Sequence, residues 1–192
     1  ILGDNVGSQD QIACAYGNFN KISFLQGDKG FIVEPISISP TYANSMLNRM
    51  VLVYTGLPRT SSNISKGLLT NLPAKKNLIL RTMEMAEESH KLFKAEADLD
   101  FMGDFLKENW ALKASMNKMA TTPPLNQLYE EAMRYGAEGG KVLGAGGGGF
   151  LLFWLADGAR EHFLKKFNRG IVVPFAFENF GTHTIFDSHE TI

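Results

Sequence analysis

Six residues, Gly144-Ala145-Gly146-Gly147-Gly148-Gly149, place five glycines between Lys141-Val142-Leu143 and the apolar run Phe150-Leu151-Leu152-Phe153-Trp154-Leu155. Glycine loses more backbone freedom on folding than any other residue, so such a run belongs where a chain turns sharply or approaches something closely. The N–H groups of a glycine loop can also converge on an anion, usually a phosphate. Read alone, packing device and anion site weigh about equally. The stretch formally matches G-x-G-x-x-G, but a dinucleotide site needs strand, loop and helix in that order, with an acidic residue roughly 20 positions on. Here an aromatic-rich strand is expected after the loop, Asp157 is too near, and little chain remains. The Walker pattern is excluded too, because no Lys-Ser or Lys-Thr follows.

Val6-Gly7-Ser8-Gln9-Asp10-Gln11 is the second constellation. It reads as a loop entering a short helix, with Ser8 as N-cap and Gln11 completing a capping box. Asp10 then falls in the first turn, where the helix dipole favours a carboxylate. On that ground alone Asp10 is as readily a structural acid as a functional one. The remaining candidates have plainer readings. Glu87-x-x-His90 has di-iron spacing, but no second copy exists, so a solvated helix face is expected. Cys14, between Ala13 and Ala15, reads as a small core residue, and Trp110 and Trp154 as core. His162 and His189 lack partners at ligand spacing, His183 reads as a strand residue, and no metal site is expected.

The elements that must position these residues follow from pattern. Phe19–Leu25 and Phe31–Ile38 read as strands around a Gly27-Asp28-Lys29-Gly30 turn, and Asn48–Tyr54 as a third strand. Helices are expected from Ser61 or Ser62 to Thr70, from Asn77 to Ala97, and from Phe101 to Ala120. Another should start at Thr122-Pro123-Pro124, with Leu125, Leu128, Tyr129, Ala132 and Met133 on one face, and stop at Gly136. Strand Phe150–Leu155, helix Gly158–Phe167 and strands Ile171–Phe177 and Thr182–Phe186 complete the chain. Strands and helices in blocks predict an α+β fold, an antiparallel sheet covered by helices.

The 192 residues carry 19 Lys and Arg against 20 Asp and Glu, a formal net charge of -1. That balance offers no field for nucleic acid or an anionic membrane. The longest apolar run, Phe150–Ala156, is too short to span a bilayer. One cysteine excludes an intrachain disulfide, and with no signal peptide visible a cytoplasmic location is the simplest reading.

Taken together, Gly7-Ser8-Gln9-Asp10-Gln11 through Gly17-Asn18-Phe19-Asn20, Tyr54-Thr55-Gly56 with Arg59 and Ser61-Ser62, and Gly139-Gly140-Lys141 before the glycine loop resemble the GHMP kinase superfamily. The fit is nearest the sugar-phosphate kinases of the D-glycero-D-manno-heptose 7-phosphate kinase type. Two motifs in the right order, far apart in sequence, make the superfamily specific; the choice of sugar is less so. The resemblance implies a ferredoxin-like C-terminal domain over residues 41–192 and, over 1–40, the end of an N-terminal domain of the ribosomal protein S5 domain 2-like type. It implies Asp10 as catalytic base, Gln9 as a sugar contact, and Arg59 as a contact to a sugar phosphate, a role suited to a planar guanidinium. It also implies amides of Gly146, Gly147 and Gly148 facing the transferred phosphate, with Gly144 opening that loop. ATP and Mg2+ are the implied cofactors, and a small sugar or sugar phosphate the partner; a homodimer stays open. The family's main ATP phosphate loop and its magnesium-holding acid lie upstream of the Gly-x-Gln-Asp-Gln segment. Neither is in this sequence, so the chain reads as a C-terminal portion that is inactive alone. The rival readings are a GHMP kinase for a galactose-, fucose- or mevalonate-like acceptor, or a non-catalytic sugar-binding module.

Overall fold

A computed structural model describes residues 7–27, 30–57, 72–117 and 120–185. They fall into two units, one of residues 7–37 with 176–185 and the other of residues 38–175.

In the first unit, α1 (Gln9–Tyr16) begins after Ser8, which caps through its carbonyl, taking the Ile12 N–H at 3.0 Å. The expected capping box does not form, since the Ser8 side chain makes no cap hydrogen bond. Gly17 ends the helix at φ 61°. Cys14 is exposed, contrary to the core reading: Ile12 is the helix's one buried residue. Strands β1 (Asn20–Phe24) and β2 (Phe31–Pro35) pair antiparallel, Ile22 opposite Val33. Residues 176–185 form no strand, so the expected strand from Thr182 is absent over its described part. This segment instead donates the Thr182 N–H to the Cys14 and Ala15 carbonyls at the end of α1.

The second unit is built on alternation. In β3 (Met50–Tyr54), Val51 and Val53 point inward and are buried. Their partners across the ladder, Phe153 and Leu151, lie in β5 (Phe150–Leu155) and are buried too. With β4 (Ala137–Val142) and β6 (Ile171–Val173) the sheet runs β4-β5-β3-β6, antiparallel at every step. Helices α2 (Pro40–Arg49), α3 (Lys76–Lys94), α4 (Phe101–Met116), α5 (Pro123–Arg134) and α6 (Arg160–Lys166) accompany it. The order β3, helices, β4, β5, α6, β6 is the ferredoxin-like arrangement. The α+β expectation of an antiparallel sheet covered by helices therefore holds. The core joins the inner sheet face to Leu125, Leu128, Tyr129 and Ala132 of α5, the stripe read from the sequence, and to Phe163 and Phe167.

Two elements escaped the sequence reading. Helix α2 occupies residues expected to be loop and the start of a strand; Ser39 caps it by accepting the Tyr42 N–H, and Pro40 opens its first turn. Strand β4 has the unpromising sequence Ala-Glu-Gly-Gly-Lys-Val. Its glycines serve a close approach: a Cβ on Gly139 would lie 2.1 Å from the Gly103 carbonyl oxygen of α4. Helix α4 can lie against this edge strand only because neither backbone carries a side chain there.

Arg49 is the one buried charged residue among those described. It donates to Asp100 at 2.6 Å, Glu138 at 2.8 Å and the Leu155 carbonyl at 2.9 Å, with its guanidinium over the Trp154 ring. One side chain thus ties α2 to the start of α4 and to two strands.

Candidate phosphate-side loop and acidic helix start

The loop from Leu143 to Gly149 connects β4 to β5, so it is the turn of a β-hairpin and not a helix-to-strand junction. Positive φ at Gly144 (64°), Gly146 (105°), Gly147 (75°) and Gly149 (82°) explains the composition, because side-chain-bearing residues rarely adopt that region. Gly146 has a second constraint: a Cβ there would lie 2.8 Å from the Ala120 carbonyl oxygen.

Four groups outside the loop grip it. The Lys113 ammonium, on the last turn of α4, donates to the carbonyls of Val142 at 3.1 Å and Gly144 at 2.6 Å. The Ala120 carbonyl accepts the Gly147 N–H at 2.8 Å. Beyond β3, Thr55 donates its N–H and hydroxyl to the Gly149 carbonyl, and the Leu57 carbonyl accepts the Gly149 N–H. The Gly147 amide is therefore committed to the protein and does not face outward as the sequence reading expected. The amides of Ala145, Gly146 and Gly148 have no acceptor among the described residues. Of these three residues Gly146 and Gly148 are buried and Ala145 is half-buried.

Gln9 and Asp10 share the first turn of α1, both exposed, with Asp10 the acidic residue of that turn. The dipole argument for a carboxylate at this place thus applies to the folded helix. Arg59 lies outside the described residues, as does the helix expected after Ser61. Among the described residues no three His, Cys, Asp or Glu side chains cluster as metal ligands, so they do not form a magnesium site by themselves. Lys113 and Ala120 were invisible as loop partners in the sequence. Thr55 stood within a motif, but nothing there announced its bond to Gly149.

Elsewhere the strong electrostatics are structural. Arg81 grips Glu108 through two nitrogens, at 2.6 and 3.0 Å, and also reaches Glu84 and Glu88. The hydrogen bonds from Arg81 hold the Glu108 carboxyl below its ordinary range. Burial pushes the Tyr129 phenol up; its hydroxyl lies near the Gly140 backbone without reaching hydrogen-bond geometry. Tyr129 instead stacks on Trp110 at 4.5 Å between centroids.

This arrangement meets known proteins at a defined place. Residues 85–170, which include α4, α5, the gripped loop and β5, match the family described as GHMP kinases C terminal. The chain is 29% identical over 185 residues to a D-glycero-alpha-D-manno-heptose 7-phosphate kinase of Campylobacter jejuni, covering 94% of this chain and 54% of that protein. It is 26% identical over 171 residues to a bifunctional fucokinase/GDP-fucose pyrophosphorylase of Arabidopsis thaliana, covering 86% of this chain and 16% of that one. Among solved structures, a D-glycero-D-manno-heptose 1-phosphate kinase from Bacteroides thetaiotaomicron superposes with a TM-score of 0.69 at 24% identity, over 94% of this chain and 50% of its own. Mevalonate kinase of L. major gives 0.65 at 20%, over 82% and 46%. At these identities both likenesses are of the fold alone. The chain spans about half the length of the heptose phosphate kinases it matches.

Proposed function

We propose that this chain is the C-terminal portion of an ATP-dependent GHMP sugar kinase that phosphorylates a sugar phosphate, D-glycero-D-manno-heptose 7-phosphate at its anomeric hydroxyl. The observation that carries the reading is the similarity to a heptose 7-phosphate kinase over 94% of the chain. The gripped glycine loop supports the reading, since the amides of Ala145, Gly146 and Gly148 have no acceptor among the described residues and loop amides of this kind can bind a phosphate oxygen. Residues 1–40 are proposed as the end of the N-terminal kinase domain and 41–192 as the C-terminal domain.

Ala145, Gly146 and Gly148 would hold a phosphate of ATP, whose γ-phosphoryl group is what the reaction transfers. Asp10 would orient the acceptor hydroxyl and take its proton as transfer proceeds, and Gln9 and Arg59 would contact the sugar and its phosphate. Transfer of this kind depends on positioning and charge stabilisation. When bound with ATP, Mg2+ would supply charge neutralisation at the phosphates. The chain alone should not turn over, and the cytoplasm is the proposed location.

The test is ATP consumption by the full-length gene product with heptose 7-phosphate in a panel of galactose-, fucose- and mevalonate-like acceptors. Asp10→Asn should lower kcat by about a hundredfold or more while ATP affinity stays similar. Unchanged turnover removes Asp10 from the mechanism, and preference for another acceptor replaces the heptose phosphate.

A further inference from the structure

The carbonyls of Val142, the last residue of β4, and of Gly144 in the loop both meet the Lys113 ammonium, so they turn to the same side. That side is the outer one: β4 is an edge strand, and the intervening Leu143 donates its N–H inward to Phe150 of β5. Edge carbonyls have no strand partner. Here a single ammonium takes both, Lys113 donating at 3.1 and 2.6 Å.

We propose that Lys113 is a positioning residue for anion binding at the glycine loop; the inference rests on the phosphate-side reading of that loop. A trans peptide holds its C=O and the following N–H opposed. Drawing the Gly144 oxygen toward Lys113 therefore turns the Ala145 N–H the other way. Further along, Ala120 holds the Gly147 amide, and Thr55 and Leu57 hold Gly149. These contacts fix the middle and end of the loop but leave the Gly144–Ala145 peptide to Lys113 alone. Gly144, at φ 64° and without a side chain, offers little resistance to a flip of that peptide. Lys113 thus acts through the Gly144 carbonyl, setting the direction of the Ala145 amide.

The test is an amide-resolved NMR titration of the full-length gene product with inorganic tripolyphosphate. In the wild type the Ala145, Gly146 and Gly148 amides should shift saturably. Lys113→Met should raise the apparent Kd by about tenfold or more, while Lys113→Arg, which keeps the donors, should stay within about threefold of wild type. Lys107→Met removes the same charge from an exposed site on the same helix and should leave Kd unchanged. In Lys113→Met without ligand, the Ala145 amide should move while the Gly147 and Gly149 amides remain protected from exchange. If Lys113→Met does not fold, Lys113→Gln carries the same expectations. Wild-type affinity in the Lys113 variant, equal loss in Lys113→Arg, or equal loss in Lys107→Met overturns the proposal. Absence of saturable shifts in the wild type overturns the phosphate-side reading itself, a different result from a wild type that binds and a Lys113 variant that binds equally well.

Discussion

The chain contains two antiparallel hairpins of nearly equal length and opposite fate. In β4–β5, Val142, Leu151, Phe153, Trp154 and Leu155 are all buried, and the connecting loop is gripped from outside at both ends and in the middle. In β1–β2, Phe24, Phe31 and Ile32 stay exposed, Ile32 at 50%, and the turn is closed by its own Leu25 to Gly30 hydrogen bond. A two-stranded hairpin is marginal in water, and three or more strands or a covering helix make it stable. The first hairpin has both; the second, among the described residues, is a two-stranded sheet. Local pairing is therefore the same physics in both places, and cover makes the difference.

Substitutions can break or sharpen that contrast. Phe153→Ala should lower stability by about 3–5 kcal/mol, because a filled core site becomes a cavity, whereas Ile32→Ala should stay within about 1 kcal/mol. Denaturant unfolding of the two variants measures this, and equal losses would show that β1–β2 shares the core after all. Arg49→Met should follow at about 2–4 kcal/mol, since Glu138 and the Leu155 carbonyl lose a partner beside β4 and β5. Retention of full stability by Arg49→Met would mean that the sheet packing holds this hairpin without the tie.

The smallest effect lies away from both hairpins, at Arg81 and Glu108. The Glu108 carboxyl is held below its ordinary range in the folded chain. Its contribution is present in full above the ordinary carboxyl range and is lost as the pH falls through the lowered folded value. Glu108→Gln should therefore flatten the acid-side decline in stability slightly and leave neutral stability close to wild type, because the pair is solvent-exposed. A steep decline that survives in Glu108→Gln would assign acid sensitivity to other carboxylates.

Much of the fold was legible because the deciding signal was local. The spacing of Leu125, Leu128, Tyr129 and Ala132 made α5 an amphipathic helix, and those residues are buried. The aromatic run at Phe150 made β5 a strand. Ser39-Pro40 carries a capping signal for α2, but the strand pattern that begins at Asn48 overlaps the end of that helix and masks it. Strand β4 was illegible for a better reason. Gly139 and Gly140 argue against a strand in isolation, and only the approach of Gly103 explains them. Cys14 was misread because small neighbours suggest close packing on every side, whereas α1 buries only Ile12.

By itself the sequence determined that five glycines must serve a turn or a close approach, that Asp10 opens a helix, and that the chain mixes helices with an antiparallel sheet. Backbone conformation and hydrophobic period are properties of neighbouring residues, so they can be read along the chain. Only the tertiary structure decided which groups of the loop are committed to the protein. Gly147 is committed to Ala120, Gly149 to Leu57 and Thr55, and the carbonyls of Val142 and Gly144 to Lys113. Hydrogen bonds between segments so distant along the chain depend on where folding brings them, and no local pattern encodes that meeting.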